Sequence, residues 1–204
     1  MTDRDLTAAM TDEELAREAR AGSRRSFEEL AARYRRRLFV YLRPRLASAE
    51  DAEDLVQETL LKLYRNIGSY DPACRFSTWL YTSAHRLAID AFRRGAAKAR
   101  LASAAAGTWA QPAPGAGGEG GAAGEAGPSG LWEAARALGG DRFRVLWLRY
   151  GEDLTIAEIA AVLGRTGLAV RVLLHRARTE LARRLGPDLR PLAPVAVPRP
   201  APRH

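Results

Sequence analysis

Apolar and polar positions follow the 3.6-residue period of an α-helix over most of the chain, in two stretches that a low-complexity stretch separates. Within both stretches apolar residues recur three or four positions apart, and strict alternation never lasts long enough to predict a β-strand. The pattern predicts an all-α protein made of two small helical domains. We name them the N-terminal body, residues 11–100, and the C-terminal body, residues 131–185.

Glycine, alanine and proline dominate the residues between the two bodies, and such a composition buries too little apolar surface to offset the entropy of ordering the chain. Residues 101–130 are therefore predicted to form a flexible linker. The last 19 residues, 186–204, contain 6 prolines and are predicted to be a disordered tail.

Three helix starts are predicted where a serine or threonine precedes a glutamate by three positions, which is the spacing of a capping box. The pairs are Thr11 with Glu14, Ser26 with Glu29, and Thr155 with Glu158. The helix after Ser26 has an apolar stripe that would face a core, and its other side carries arginines. These arginines are Arg33, Arg36, Arg37 and Arg43. Pro44 is predicted to end or kink this helix.

A helix over residues 49–66 is predicted to bury one face and to present a polar face with Leu61 in its middle. The polar face holds Asp54, Gln57, Glu58 and Arg65. One interpretation is a solvated acidic face with a single exposed leucine, which is common on protein surfaces. The other is a docking face, in which Leu61 is the anchor and the neighbouring carboxylates attract a basic partner. The sequence leaves both open.

Aromatic residues cluster before and at the start of the next predicted helix, close to several arginines. They are Tyr70, Phe76, Trp79 and Tyr81. Single-stranded bases stack on such rings, so the cluster fits a nucleic-acid site. Aromatic residues at helical spacing also form hydrophobic cores, so both interpretations stand.

The C-terminal body has the pattern of a helix-turn-helix. A helix that begins after Thr155 is predicted to stop at Gly164, and a second helix after a short turn carries an apolar face and many arginines. A cationic second helix is typical of proteins that read the major groove of DNA. The alternative is an ordinary helical hairpin with a solvated basic face.

Composition narrows the classes of partner and of site. A net charge of +8 favours a polyanion such as nucleic acid. No apolar run approaches the roughly 20 residues of a membrane span, and the first 20 residues carry six acidic side chains in place of a secretory signal. The single Cys74 and three distant histidines predict no metal site, no cofactor and a cytoplasmic location.

Short motifs in both bodies resemble one bacterial protein family. The N-terminal body resembles conserved region 2 of the sigma factors of RNA polymerase, through DAEDLVQET at 51–59, FSTWLY at 76–81 and LAID at 87–90. The C-terminal body resembles their region 4, through LRY at 148–150, LTIAEIA at 154–160 and HRAR at 175–178. Two such regions with only a linker between them is the layout of the extracytoplasmic-function (ECF) class of the sigma-70 family.

The resemblance implies roles for three sets of residues. The clamp helices in the largest subunit of core RNA polymerase would bind Asp51, Asp54, Gln57, Glu58 and Leu61. The minus-ten promoter element would contact Tyr70, as the ring that stacks on a flipped base, and Phe76, Trp79, Arg86, Arg93 and Arg94. The minus-thirty-five element would contact Arg165, Leu168, Arg171, Val172, His175 and Arg176.

The implied function is that of a sigma factor, which binds core polymerase, recognises promoter DNA and opens the minus-ten element without catalysing a reaction. The implied partners are the clamp helices, the flap of the second-largest subunit, promoter DNA and, as for many relatives, an anti-sigma factor. The implied location is the cytoplasm, in association with the nucleoid. Departures from the family pattern at Arg86, Val172 and Leu173 bear on which promoter sequence is read.

Two other functions are weighed against this one. A helix-turn-helix regulator that does not engage polymerase would also be basic and helical, but it gives no reason for an exposed leucine among carboxylates. An enzyme would need clustered carboxylates or a Ser/His/Asp arrangement. The nearest candidates, His85 and Asp90, are five positions apart on a predicted helix and do not face each other.

Overall fold

The computed structural model describes residues 9–46, 48–105 and 129–185, without the side chains of residues 45, 96–105 and 129. Every regular element in these ranges is helical, which confirms the all-α prediction. Residues 106–128 of the predicted linker and the whole predicted tail lie outside the described residues. At its two ends the linker prediction was wrong, because residues 101–105 continue a helix and residues 129–130 begin one.

The N-terminal body consists of four helices: α1 (Asp12–Arg20), α2 (Arg24–Leu42), α3 (Ala49–Arg65) and α4 (Phe76–Ala105). Short 3-10 turns follow α2 and α3, at Arg43–Arg45 and Ile67–Ser69. Helix α2 ends two residues before Pro44, as predicted, because proline cannot donate the next helical hydrogen bond.

The starts of the first two helices test the capping predictions. Thr11 and Glu14 form the predicted capping box of α1. The prediction for Ser26 was wrong, because α2 begins one turn earlier and Ser23 is its cap, accepting a hydrogen bond from the Ser26 backbone at 3.3 Å. Gly22, with a φ of 106°, turns the chain sharply enough to place Ser23 at the helix start. The Ser26 side chain is buried and donates to Glu18 at 2.6 Å.

Two of the arginines on the polar side of α2 are held by carboxylates. Arg33 Nη1 donates to Asp12 Oδ1 at 2.9 Å, and its Nε donates to Glu29 Oε1 at 2.8 Å. Arg37 pairs with Glu152 of the C-terminal body. Periodicity within one helix contains no information on which other helices pack beside it, so the sequence did not predict the pairs with Asp12 and Glu152.

The C-terminal body also consists of four helices: α5 (Ser129–Arg136), α6 (Gly140–Leu146), α7 (Ile156–Leu163) and α8 (Gly167–Leu185). Helix α6 runs into a π-helical turn over Trp147–Gly151. The Thr155 capping box is present as predicted. Gly164 ends α7 with a left-handed φ of 61°, which confirms it as the stop that lets α8 turn away from α7.

The two bodies pack against each other. Helix α7 lies on α4, and the α6 helix contacts the 3-10 turn that follows α2. The buried apolar residues of both bodies form one continuous core. Tyr41 and Tyr81 from the N-terminal body and Trp147 and Leu154 from the C-terminal body are buried in it.

Candidate functional site

The outer face of α3 is acidic and carries a large exposed leucine, as predicted. Leu61 is 49% exposed, whereas Leu63, two positions further on, is 1% exposed. The polar side chains of the same face are exposed as well: Asp51, Asp54, Gln57 and Glu58. An apolar side chain that is open to solvent on a face with several carboxylates can anchor a partner whose surface is apolar at its centre and basic around it.

Sequence reasoning missed a second apolar side chain on this face. Tyr64 lies three positions after Leu61, on the same side of α3, and is 44% exposed. Its ring centroid lies 5.0 Å from that of Phe27, which holds it against α2. Its position three residues after Leu61 could have predicted from the sequence that Tyr64 lies on the same face.

The structure corrects the prediction for two of the aromatic residues assigned to the minus-ten element. Tyr70 and Phe76 are each only 1% exposed, so neither ring is available to stack on a base. The Tyr70 hydroxyl donates to the Cys74 carbonyl at 2.7 Å, and burial raises the pKa of Tyr70 to about 12. The two rings are 5.8 Å apart and belong to the core beneath the loop.

The other residues of this set lie nearer the surface. Trp79 is partly buried, with its ring 5.4 Å from that of Tyr70, and Arg86, Arg93 and Arg94 are exposed on α4. Arg94 Nη2 lies 3.9 Å from Glu58 Oε2, which places the cationic end of this set beside the acidic face of α3. A pair so exposed contributes little to stability and leaves both groups open to other partners.

Helix α8 presents a mixed apolar and cationic face to solvent. Leu168 and Val172, which the resemblance assigns to the minus-thirty-five element, are 69% and 42% exposed. Arg171, His175 and Arg176 are exposed beside them. The opposite face is buried and holds the helix on its body: Val170, Leu174, Ala177 and Leu181. Arg165 precedes α8 and pairs with Asp141 of α6.

A fully buried carboxylate joins the two bodies. Glu152, which follows the π-helical turn, accepts a hydrogen bond from Arg37 Nε at 3.0 Å and one from the Tyr81 hydroxyl at 2.6 Å, both on its Oε1. Trp147 Nε1 donates to the Tyr81 hydroxyl at 3.4 Å. We call these four residues the Glu152 cluster. The Glu152 side chain is 0% exposed, and both partners of its carboxylate, Arg37 and Tyr81, belong to the N-terminal body.

Burial controls the electrostatics of this cluster. It raises the pKa of Glu152, and the charge of Arg37 and the Tyr81 hydrogen bond act in the opposite direction. Burial, reinforced by the Glu152 carboxylate, raises the pKa of Tyr81 well above its ordinary value, so the hydroxyl keeps its proton and donates it in the hydrogen bond.

A second group of contacts joins the bodies beside the helix-turn-helix. Thr78 Oγ1 donates to Glu158 Oε1 at 3.2 Å, and Arg75 Nη1 donates to the Asp153 carbonyl at 3.0 Å. Partial burial acts to raise the pKa of Glu158, but the hydrogen bonds from Thr155 and Thr78 and the charge of Arg75 together lower that pKa. Sequence analysis missed all of these contacts, because they join residues about 80 positions apart in the chain.

The described residues bring no other reactive groups together. His85 is buried with Nδ1 3.2 Å from the Tyr41 hydroxyl, while Asp90 is exposed on α4. Within the described ranges no group of three or more His, Cys, Asp and Glu residues could hold a metal ion. Likewise, none of the described helices combines the length and the apolar character needed to cross a bilayer.

Comparison with known families agrees with this division of the chain. Residues 30–98 match the family Sigma-70 region 2, and residues 130–181 match the family Sigma-70, region 4. The chain belongs to the sigma-70 family. As a sigma factor, it recognises promoters as a subunit of RNA polymerase and initiates transcription there.

Similar proteins place this sigma factor in the ECF class. It is 30% identical over 178 residues to the ECF RNA polymerase sigma factor BldN of Streptomyces coelicolor, covering 87% of this chain and 67% of BldN. It is 32% identical over 167 residues to the RNA polymerase sigma factor CarQ of Myxococcus xanthus, covering 82% of this chain and 93% of CarQ.

Solved structures share its fold. CnrH in complex with the cytosolic domain of CnrY matches with a TM-score of 0.57 and 26% identity, covering 87% of this chain and 99% of CnrH. RpoE of Bartonella quintana, in complex with the anti-sigma factor NepR, matches with a TM-score of 0.59 and 20% identity, covering 80% of this chain and 98% of RpoE.

Proposed function

We propose that the acidic outer face of α3 is the surface by which this sigma factor docks on core RNA polymerase, with Leu61 as its anchor. The exposure of Leu61 among carboxylates is the observation that carries the proposal, because folding of this chain gives no reason for it. The clamp helices of the largest subunit would bind this face, while the C-terminal body binds the flap of the second-largest subunit.

Within the N-terminal body, residues 11–100, we assign the minus-ten element to the surface of α4. Trp79 is the partly accessible ring on which a base could stack, and Arg86, Arg93 and Arg94 are exposed at the surface, where they can hold phosphates of the melted strand. Tyr70 and Phe76 support this surface from the core. A base that stacked on Tyr70 would first have to displace it from that core.

Within the C-terminal body, residues 131–185, we assign the minus-thirty-five element to the exposed face of α8. Arg171 and Arg176 can each form a bidentate pair with a guanine in the major groove, and His175 lies beside them. Leu168 and Val172 fit the methyl groups of thymine. Arg165, because it is held by Asp141, is better placed for a phosphate before the helix than for a base.

Structures of similar proteins suggest a further protein partner for this factor. CnrH and RpoE are bound to CnrY and to the anti-sigma factor NepR in their structures, and we infer that an anti-sigma protein holds this factor as well. The factor would catalyse no reaction itself. It would act in the cytoplasm, on the DNA of the nucleoid.

Binding to core polymerase tests the docking face directly. Core enzyme without any sigma subunit is mixed with the wild-type chain, with Leu61→Asp or with Val172→Asp, and co-elution is measured by gel filtration. Val172→Asp is the matched control, because it places the same charge on an exposed apolar residue of the other body. The wild type and Val172→Asp should form a stoichiometric complex, whereas Leu61→Asp should not, with an unchanged circular dichroism spectrum.

Two results would contradict the proposal. If Leu61→Asp unfolds the chain, Leu61 supports the fold instead of a partner. If the folded wild type forms no complex with core enzyme, a helix-turn-helix regulator that works without polymerase core becomes the better account of the C-terminal body.

A further inference from the structure

We propose that α8 recognises the methyl group on carbon C5 of pyrimidine bases in the major groove. At two base pairs the factor would then accept thymine and 5-methylcytosine and discriminate against uracil and unmodified cytosine. This role rests on the proposed function of α8, which is to read the minus-thirty-five element. The group that is read would be the methyl itself, so methylation of promoter DNA would strengthen binding.

Two apolar side chains lie one helical turn apart along the centre of the exposed face of α8. Leu168 is 69% exposed and Val172 is 42% exposed, and we call them the apolar pair. At 100° per residue they project within about 40° of each other. Val170 and Leu174, on the opposite face, are buried and hold the helix on its body. The apolar pair is therefore not part of the core and is available to a ligand.

Arginines lie on both sides of the apolar pair. At the same 100° per residue, Arg171 projects about 60° to one side of Leu168, and Arg176 projects about 80° to the other. Both arginines are exposed. An apolar strip between positive charges matches the major groove of DNA, where phosphates line the edges and the bases form the floor. The charge thus favours DNA over a protein as the ligand of the apolar pair.

The apolar pair lies in the first two turns of α8, which is the part of a recognition helix that contacts base edges. This part of the helix is held in place. Thr166 accepts a hydrogen bond from the Ala169 backbone at 3.2 Å. Gly167, the first residue of α8, lies so close to α7 that an added Cβ would be 3.7 Å from Ile156 Cγ2. The fixed start of the helix limits which bases the apolar pair can reach.

Leucine and valine side chains carry no hydrogen-bond donor or acceptor, which limits what they can recognise. Every base pair presents hydrogen-bonding groups in the major groove, but among the four ordinary bases thymine alone presents a methyl group, on C5. A hydrogen-bonding group that an apolar side chain covers loses water without compensation. The apolar pair therefore favours a C5 methyl group and disfavours the other base edges.

The length of α8 between the two side chains sets the spacing of the methyl groups. Four residues of an α-helix span about 6 Å, and successive base pairs are about 3.4 Å apart, so the two base pairs are one or two steps apart. The methyl group of 5-methylcytosine is attached to the same ring carbon as that of thymine, whereas uracil is thymine without it. A cytosine at either base pair would therefore bind more tightly once it is methylated.

Binding of the holoenzyme to modified promoters tests the proposal. Core RNA polymerase with the full chain first selects duplexes from a library in which both promoter elements are randomised. We expect thymine at two base pairs of the minus-thirty-five element, one or two steps apart. Each thymine is then replaced by uracil, or its base pair by cytosine or 5-methylcytosine with guanine, and Kd is measured. The same replacements between the two elements are the control in the DNA.

Two nearly isosteric variants remove apolar surface from α8 without changing its charge, namely Leu168→Asn and Val172→Thr. The control in the protein is Ala182→Ser, which adds a hydroxyl at an exposed position in the last turn of the same helix. All three side chains are exposed, so the variants should fold and bind core polymerase as the wild type does.

For the wild type, each uracil should raise Kd about 3- to 5-fold, the factor expected for one methyl group that is no longer buried. Methylation of a cytosine at the same position should lower Kd by a similar factor. Leu168→Asn should abolish the uracil effect at one base pair and Val172→Thr at the other. Ala182→Ser should retain both effects, and replacements between the elements should change nothing.

The outcomes separate methyl recognition from the proposed function. If uracil binds as well as thymine throughout the element, or if both variants retain the uracil effect, methyl recognition is overturned, the apolar pair is assigned to a protein partner, and the sigma function stands. If the holoenzyme selects no sequence in this element, the assignment of α8 to it fails and methyl recognition fails with it.

Failure to form a holoenzyme has its own test. The selection and the replacements are then repeated with the full chain alone. A uracil effect that Leu168→Asn and Val172→Thr abolish would support methyl recognition by a regulator that works without polymerase core. A selected sequence without such an effect would overturn it, and so would the absence of any selected sequence.

Discussion

At the scale of single residues, burial decides what a side chain of a given type does. Leu61 and Leu63 are two positions apart on α3, yet Leu61 is exposed and accessible to a partner, whereas Leu63 is buried in the core. Arg37 is held by the buried Glu152, whereas Arg171 on α8 is exposed. The same guanidinium therefore serves the fold at one position and is available to DNA at the other.

Arg171 gives a prediction at this scale. Arg171→Ala should cost about 1 to 3 kcal/mol of binding free energy at a promoter with the preferred base, and little at promoters changed at that base pair. The measurement is the affinity of the holoenzyme for promoters with single substitutions in the minus-thirty-five element. Arg184→Ala is the control, because Arg184 is held by Glu180 near the end of α8. An equal loss on every sequence would show that Arg171 contacts a phosphate.

The exposure of Leu61, Leu168 and Val172 could be predicted from the sequence, because the helical period alone decides which side of a helix a residue faces. The burial of Tyr70 could not. It sits in a loop, where no period applies, and its ring is covered by Phe76 and Trp79. The aromatic cluster was recognised, but its place in the core depends on tertiary packing.

At the scale of helices, caps decide where the elements begin. The capping boxes at Thr11 and Thr155 followed from the spacing of serine or threonine and glutamate. Ser26 has the same spacing but does not cap the helix, because the turn at Gly22 places Ser23 at the helix start, three residues earlier. A local motif predicts a helix start only when no earlier residue can take the same role.

The Thr155 cap gives a prediction at this scale. Thr155→Ala should lower the free energy of unfolding by about 1 kcal/mol, because a backbone donor at the start of α7 loses its acceptor. It should also raise the pKa of Glu158 toward its ordinary value, because the side-chain hydrogen bond from Thr155 to Glu158 is lost while the bond from the backbone N–H of residue 155 remains. Urea denaturation and an NMR titration of Glu158 measure the two effects. Thr11→Ala, in the equivalent capping box of α1, should leave the Glu158 titration unchanged.

At the scale of the whole molecule, the fold class and the order of the two bodies followed from the sequence, but their contact did not. Arg37 and Glu152 are 115 positions apart, and neither residue stands out within its own helix or turn. Helical periodicity predicts which face of a helix is buried, but not which other elements cover that face. The residues that the two bodies bury against each other are determined by tertiary packing.

The Glu152 cluster gives a prediction for the dependence of stability on pH. Burial raises the pKa of Glu152 above the ordinary 4.5, and the groups that act on it are Arg37 of α2, Tyr81 of α4 and Asp12 of α1. The folded chain therefore binds a proton at Glu152 more tightly than the unfolded chain does. The stability that this group contributes is complete below about pH 4.5 and is lost as pH rises through the raised pKa.

Urea denaturation of the full chain at pH values from 4.5 to 8 measures this effect. The free energy of unfolding of the wild type should decrease as pH rises above 4.5, and that of Glu133→Gln, a change at an exposed position of α5, should follow it. In Glu152→Gln the group that titrates is gone, so this part of the pH dependence should disappear. A pH response unchanged by Glu152→Gln would assign it to another group.

The continuous core has a consequence for the stability of the C-terminal body. Residues 129–185, which hold the four helices of this body, number 57, a size at which a domain standing alone is only marginally stable. The N-terminal body covers one side of this small domain and suppresses its local unfolding. Residues 129–185 expressed alone would lose that cover, and proteases should cut them sooner than the same residues in the full chain.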